Sequence, residues 1–150
     1  MNYVRILLAA VTATVAFFVY GFVVHGWLIA KDYIPYPEGV YRAGDAAQTH
    51  MPFALLGLFV AIIVFALIYA KSCRTAGAQS GANLGFLFGV FMGGAFVAVN
   101  YATLNISGKL ASELAVSELV EWTLVGTVVG LIYKRQAQNK AAKPAGSKNV

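Results

Sequence analysis

The hydrophobic positions of this chain come in long unbroken runs, with neither the alternation of a strand nor the narrow stripe of a soluble helix. From Ile6 to Ala30 the sequence is apolar for 25 residues, interrupted by Thr12, Thr14, Tyr20 and His25. About 20 such residues in a helix cross the hydrocarbon core of a bilayer, so this run predicts a tilted transmembrane span. Only Arg5 and the amino terminus precede it, which would also suit a cleavable signal peptide. The run is longer than the usual apolar region of about 7–15 residues and ends in no small-x-small cleavage motif, so a retained helix is expected. A second run, about 51–70, opens with Thr49 and Pro52, residues that suit a helix start. A third covers about 82–104. The fourth is apolar over about 114–133, closed by Lys134 and Arg135, although its helical pattern can begin near Lys109. Residues 136–150 are Lys, Ala, Asn and Gly with one Pro, and read as a disordered basic tail.

Composition agrees with lipid as the solvent. Hydrophobic residues are 59% of the 150 and charged residues 11%, with a mean hydropathy of +0.71. A water-soluble globule of this size has too much surface for its core to hide so many apolar side chains. The expectation is an all-α membrane protein with one domain, residues 1–135, forming a four-transmembrane-helix bundle. The lone Cys73 excludes an internal disulfide and a Cys-x-x-Cys redox or zinc site. The net charge of +5 sits in short segments beside the spans, where it reports orientation or anionic lipid; nucleic acid is not an expected partner.

Charge also gives the orientation. The amino terminus, the loop at 71–83 and the tail fall on one side and carry Arg5, Lys71, Arg74, Lys134, Arg135, Lys140, Lys143 and Lys148, with no acid. The other side carries Lys31, Arg42 and Lys109 together with all six acids. Eight basic residues against three predict that both termini are cytoplasmic, and argue against an antiparallel dual-topology dimer, which needs nearly balanced charge. The connection at 31–48 holds Tyr33, Tyr36 and Tyr41 among prolines and glycines, as an interfacial aromatic belt would, or a lid over a ligand.

Helices in lipid associate through close backbone approach and hydrogen bonds, since lipid is as apolar as leucine. Gly81, Gly85, Gly89 and Gly93 recur every four residues in the third run, and Gly126 and Gly130 make a similar notch in the fourth. A glycine-zipper contact is expected there, within the bundle or between copies of the chain.

Polar residues inside the spans are the candidates for function. Asn100 falls on the glycine face by ideal helical geometry. Glu118 and Glu121 share a face of the fourth helix, while Glu113 reads as hydrated. Glu121 lies 13 residues before Lys134, about 20 Å at ~1.5 Å per residue, hence inside the far leaflet. A carboxylate at that depth costs several kcal/mol unless paired, hydrated or protonated. His25 ends the first span and His50 begins the second. The expectation is a cluster of His25, His50, Asn100, Tyr101, Glu118 and Glu121 at the end of the bundle away from the termini. Two histidines on separate helices suit a haem or a metal ion, and His with Glu suits proton relay. Interfacial histidines in water, with Glu121 satisfied by Asn100 or Tyr101, are the plain alternative.

Phosphate-binding loops, HExxH, GxSxG and paired catalytic acids are all missing, and the loops are too short for a soluble active site, so no enzyme is expected. His25-Gly26 with Leu28, then Tyr33, Tyr41-Arg42, the glycines of the third run, Glu121 and the closing Gly130-Leu-Ile-Tyr-Lys134 resemble a group of small four-helix bacterial inner-membrane proteins with no assigned activity. The resemblance implies a fold and a location, and brings no ligand or cofactor. Three functions are compatible with these residues. The first is an accessory or complex subunit that contacts other membrane proteins or itself and needs no cofactor. The second is a small transporter or binding protein for a proton, cation or solute, using Glu121 and Asn100. The third is a b-type haem protein using His25 and His50.

Overall fold

The structure, a computed structural model, describes residues 2–33, 44–73 and 77–141. Those residues hold no strand, and four helical stretches of 26 residues each are long and apolar enough to cross a membrane: Tyr3–Leu28, Ala47–Ser72, Ala78–Thr103 and Gly108–Tyr133. Helix α1 (Tyr3–Val23) is capped by the Asn2 side chain, which accepts from the Arg5 amide, and continues as a π turn, Val24–Leu28. One turn of helix, α2 (Ala30–Tyr33), comes next. Helix α3 is Gly44–Ser72. The third span is α4 (Ala78–Met92), a π turn at Gly93–Val97, and α5 (Ala98–Thr103). Helix α6 is Gly108–Ala141.

Helices extend beyond the apolar runs wherever a terminus finds a cap or good helix formers. The fourth begins at Gly108 because the Ser107 hydroxyl accepts the Leu110 amide, an N-cap ahead of the expected apolar edge. It continues past Tyr133 to Ala141 through Gln, Ala and Lys, residues of high helix propensity, where the sequence reads as tail. Helix α3 starts seven residues before the expected 51, so Pro52 stands inside it rather than at its first turn, leaving the Gln48 carbonyl without its helical donor. The interior of the 31–48 connection, with Tyr36 and Tyr41, lies outside the described residues, as does 142–150.

Helix α6 is the centre of the bundle, in contact with α1, α3 and α4. Against α4 it runs antiparallel at backbone distance. A Cβ at Gly81 would overlap the Gly126 carbonyl, one at Gly85 the Trp122 carbonyl, and one at Gly130 the Gly77 carbonyl. At Gly89 it would stand 2.7 Å from Leu119 Cα, and at Gly93 a relaxed 3.6 Å from the Ala115 carbonyl. The four-residue glycine period thus marks a contact within the chain that admits no side chain at three of its levels. Against α1 the approach is through Ala9, Ala10 and Ala13, all fully buried.

The bundle is closed at one end and open at the other. Around the end holding the N-terminus, Ile6 and the alanines of α1, Ile62, Phe65, Ala66 and Tyr69 of α3, and Val125, Val129 and Tyr133 of α6 make one apolar core. Tyr69 seals it: its hydroxyl donates to the Gly77 carbonyl (3.1 Å) and accepts from the Gly77 amide (2.9 Å), fixing the turn between α3 and α4. Midway, each span contributes one ring to a cluster of Phe17, Phe65, Phe88 and Trp122, with Phe65 and Phe88 edge-on at 4.9 Å and Trp122 within 5.7 Å of both. Beyond this layer α4 keeps to α6 at Gly89 and Gly93 and α1 to α6 at Gly21, while α3 diverges, and every one of its residues from Gln48 to Gly57 is exposed.

Candidate functional site

On the far side of the ring layer α6 carries a largely buried polar edge. Glu113, Ser117 and Glu121 recur at intervals of four, which in an α-helix drift by only ~40° per step and rise by ~6 Å, so they form one ladder. Each carries a buried oxygen with no hydrogen-bond partner: Glu113 Oε2, Ser117 Oγ and Glu121 Oε1. Other hydroxyls of the spans are satisfied locally, Thr14 by the Ala10 carbonyl, Thr123 by that of Leu119 and Thr127 by that of Thr123. The unpartnered oxygens are therefore concentrated on this ladder and at the Tyr133 hydroxyl of the opposite end.

Glu121 is the deepest rung and only 2% exposed. It lies under α1 beside Gly21, where a Cβ would sit in ordinary contact, 3.4 Å from Glu121 Oε1 and 3.9 Å from His25 Cδ2. The next residue, Trp122, belongs to the aromatic layer, and below it Val125 and Val129 are fully buried. The polar ladder therefore ends at Glu121 on an apolar floor. Glu118, half-buried on an adjacent face, accepts a hydrogen bond from Trp122 Nε1 at 3.0 Å, so one of the paired glutamates is satisfied and the other is not.

Above Glu121 a cleft of about 350 Å³ opens between α1 and α6, walled by Tyr20, Val24, Leu28, Ile29 and Val116, with Ser112, Glu113 and Ser117 as its polar side. At its rim Lys109 Nζ lies 2.7 Å from Asp32 Oδ1 and 3.5 Å from Glu113 Oε1. This ion pair joins α2 to the start of α6 above a small apolar patch of Val97, Ile106, Leu110 and Ala111. The Lys109 ammonium, hydrogen-bonded to Asp32, holds that carboxyl below its usual range.

The expected six-residue cluster divides. Glu121, Glu118 and His25 come together around Gly21 and Trp122. His25 is half-buried, and its Nδ1 shares a hydrogen bond of 3.1 Å with the Tyr33 hydroxyl. His50 lies instead on the exposed stretch of α3, beside the ring of Phe53. Asn100 is half-buried and Tyr101 exposed, and neither bonds to Glu121. The π turn at Gly93–Val97 adds one residue to the third span and rotates the residues after it by roughly 100°, so the straight wheel misplaces both. Glu113, read as hydrated, instead turns one oxygen inward, and Ser117 joins it. Their spacing to Glu121 was the available signal. Among the described residues no group of three His, Cys, Asp or Glu is placed to hold a metal ion. No protein-family model, curated protein or solved structure matches the chain.

Proposed function

We propose that the protein is a bacterial inner-membrane protein, both termini cytoplasmic, that takes up a proton or small cation at Glu121 from the external end of the bundle. The observation that carries this is the 2%-exposed Glu121 carboxyl with an unpartnered oxygen. Burying such a group without a donor costs more than a protein pays for structure alone, so it calls for a proton or a cation. Ser117 and Glu113 provide the way in. Steps of ~6 Å along the helix are wider than one hydrogen bond and suit relay through an intervening water. The apolar floor beneath Glu121 favours a binding site open to one side over a continuous pore. The orientation rests on the eight-to-three basic asymmetry and is tested at Cys73, which should resist a membrane-impermeant maleimide in intact spheroplasts and react after permeabilisation.

A hydrophobic carbodiimide tests the site, because it modifies protonated carboxyls in apolar surroundings. Mass spectrometry of treated membranes should find the adduct on Glu121, and Glu121→Gln should abolish it while the protein still elutes as a folded species in detergent. Protection by Na⁺ or K⁺ identifies a cation as the occupant; sensitivity to pH alone identifies a proton. Modification of Glu113 or Glu118 with Glu121 untouched sinks the proposal.

A second reading, an accessory subunit, is favoured by one observation. Met51, Phe53, Leu55 and Leu56 of α3 are large apolar side chains exposed along one short stretch of the helix. A pull-down in mild detergent that returns stoichiometric membrane proteins would support it.

A further inference from the structure

Glu121 has a polar neighbour that lies off the α6 ladder. Around the point a Gly21 Cβ would occupy, α1's own backbone and the residues on either side set aside, the described atoms within 4 Å are Glu121 Oε1 and His25 Cδ2 alone. The carboxyl oxygen and the imidazole edge are each within 4 Å of one point, hence less than 8 Å apart, with no third side chain at that point. Helical side chains lean toward the N-terminus, which is why the His25 ring covers Gly21 one turn back. Its other edge is bonded: Nδ1 lies 3.1 Å from the Tyr33 hydroxyl. Tyr33 closes α2, and Asp32 beside it is tied to Lys109 of α6 at 2.7 Å, which holds that hydroxyl at the loop end of the bundle. The half-buried His25 thus meets Tyr33 with one edge and turns the other toward the deepest carboxyl. A half-turn about Cβ–Cγ exchanges Nδ1 with Cδ2 in a ring of nearly unchanged outline. The donor set suits a proton. A hard cation gathers about six oxygen ligands, whereas Glu121 Oε1 has an imidazole beside it and the Glu118 carboxylate is taken by Trp122 Nε1 at 3.0 Å. The remaining titratable groups are Tyr20 on α1 and, toward the mouth, Glu113, Asp32, Lys31 and Lys109. Helix α4 carries none, and His50 of α3 lies on its exposed stretch.

We propose that the occupant of Glu121 is a proton, and that His25 carries it there by turning its ring between Tyr33 and Glu121. The inference rests on the site proposed at Glu121 and names what fills it and the residue that delivers it. At rest the Tyr33 hydroxyl donates to Nδ1, so the ring is neutral with its hydrogen on Nε2. A proton from the loop end passes through that hydroxyl to Nδ1, and the hydroxyl regains a hydrogen from water in the same exchange. Imidazole holds a proton on either nitrogen near neutral pH, which suits it to this load. The ring turns, Nδ1–H takes the place of Cδ2 beside Gly21, and its proton passes to the Glu121 carboxylate. What remains is a neutral carboxyl and a neutral imidazole with its hydrogen still on Nε2, so the ring turns back unchanged. Only bonds to hydrogen are made and broken. Because the floor below Glu121 is apolar, the proton leaves by the same ring, and the site exchanges with one side of the bundle.

Time-resolved infrared difference spectroscopy of the full chain in nanodiscs reads the transfer. Photolysis of a caged proton lowers the pH, and the carboxyl C=O band that Glu121→Gln lacks reports arrival at Glu121. In His25→Phe the band should rise at least tenfold more slowly to the same final height. Tyr33→Phe should slow it severalfold. In His25→Ala, free imidazole should restore the rate, and pyrazole, a ring of the same size and a far weaker base, should not. Equal repair by both rings shows a histidine that only fills space, and overturns the inference. So does a wild-type rate in His25→Phe, or a rate slowed by Ser117→Ala alone; either leaves Glu121 a proton site loaded along the ladder. Should His25→Phe fail to elute as a folded species, Tyr33→Phe and the rescue of His25→Ala decide, and a wild-type rate in the first or no rescue of the second overturns it. A Glu121 that Na⁺ shields from carbodiimide and that shows no carboxyl band on acidification also overturns it, and keeps the cation site. A Glu121 with neither adduct nor band removes the site and the inference together.

Discussion

Replacing Gly89 by leucine places four carbons where α4 and α6 touch backbone to backbone. The first, Cβ, would already stand 2.7 Å from Leu119 Cα and 2.9 Å from the Glu118 carbonyl, against about 3.5–4.0 Å for carbon atoms at rest. Neither obstacle is a side chain that can swing aside, so the helices must part by ~1 Å for Cβ alone and further for the rest. A gap of 0.5–1 Å forfeits about a quarter to a half of each atom pair's ~0.1–0.2 kcal/mol, and a leucine-sized contact holds about 40–60 pairs. The loss is therefore about 1–6 kcal/mol. Gly94 is the control: a Cβ there meets nothing within 4 Å, and its backbone is not among those with positive φ. The helix-propensity gain of glycine to leucine, under about 1 kcal/mol, is common to both variants and cancels in the difference between them. Reversible unfolding by SDS in mixed micelles, followed by Trp fluorescence, should show Gly89→Leu less stable by that amount and Gly94→Leu within about 0.5 kcal/mol of wild type. Equal free energies for the two, or a larger loss at Gly94, would show that the helix contact is drawn in the wrong place.

Tyr69→Phe removes a hydroxyl that serves Gly77 twice; it should cost about 1–3 kcal/mol and speed amide exchange at Gly77, and unchanged exchange would show the turn is held by something else. Asp32 titrates below its ordinary value because of Lys109, so its contribution to stability is present above the unfolded carboxyl's pKa and is lost as pH falls through the lower folded one. The melting temperature in detergent should therefore drop as pH falls below about 4, and the drop should shrink in Asp32→Asn and at high salt. A pH response identical in the variant would exclude this ion pair as its source. Cys73 lies just past α3, half-buried, and burial pushes its thiol up. Once membranes are permeabilised, maleimide should reach it slowly at neutral pH and faster as pH rises, since the thiolate is the reacting form; a rate flat with pH would show an open, unshielded thiol.

The four spans are legible in the sequence because apolar length is a direct reading of bilayer thickness. A close helix contact is legible because glycines every four residues let a second backbone approach, and the structure seats three of the four against the backbone of α6; that the partner is α6 and not a second copy is not legible. Whatever depends on departures from a straight helix escapes. The π turn at Gly93–Val97 changes the azimuth of Asn100 and Tyr101 without any mark in composition. Glu113 reads as hydrated because it points away from the face that Glu118 and Glu121 share, yet one of its oxygens is buried and its side chain lines a cleft with Leu28 and Ile29. The exposure of Gln48–Gly57 escapes for a different reason. An apolar residue facing lipid and one facing a helix obey the same preference, so the pattern carries no information about which it meets.

Since α6 is the helix on which α1, α3 and α4 all pack, and it supplies Trp122 to the ring cluster, the element that unites the bundle is synthesised after the three described spans that pack on it. Until it enters the bilayer, the glycines of α4 have no backbone to meet. Its pairing with α4 is then a short hairpin that can close at once, whereas α1, able to pack on α3 earlier, meets α6 only after some eighty further residues of synthesis. Assembly is thus set to finish in one late step, in which the floor beneath Glu121 and the cleft above it come into being together. A ribosome stalled before Gly108 would leave three inserted helices with neither.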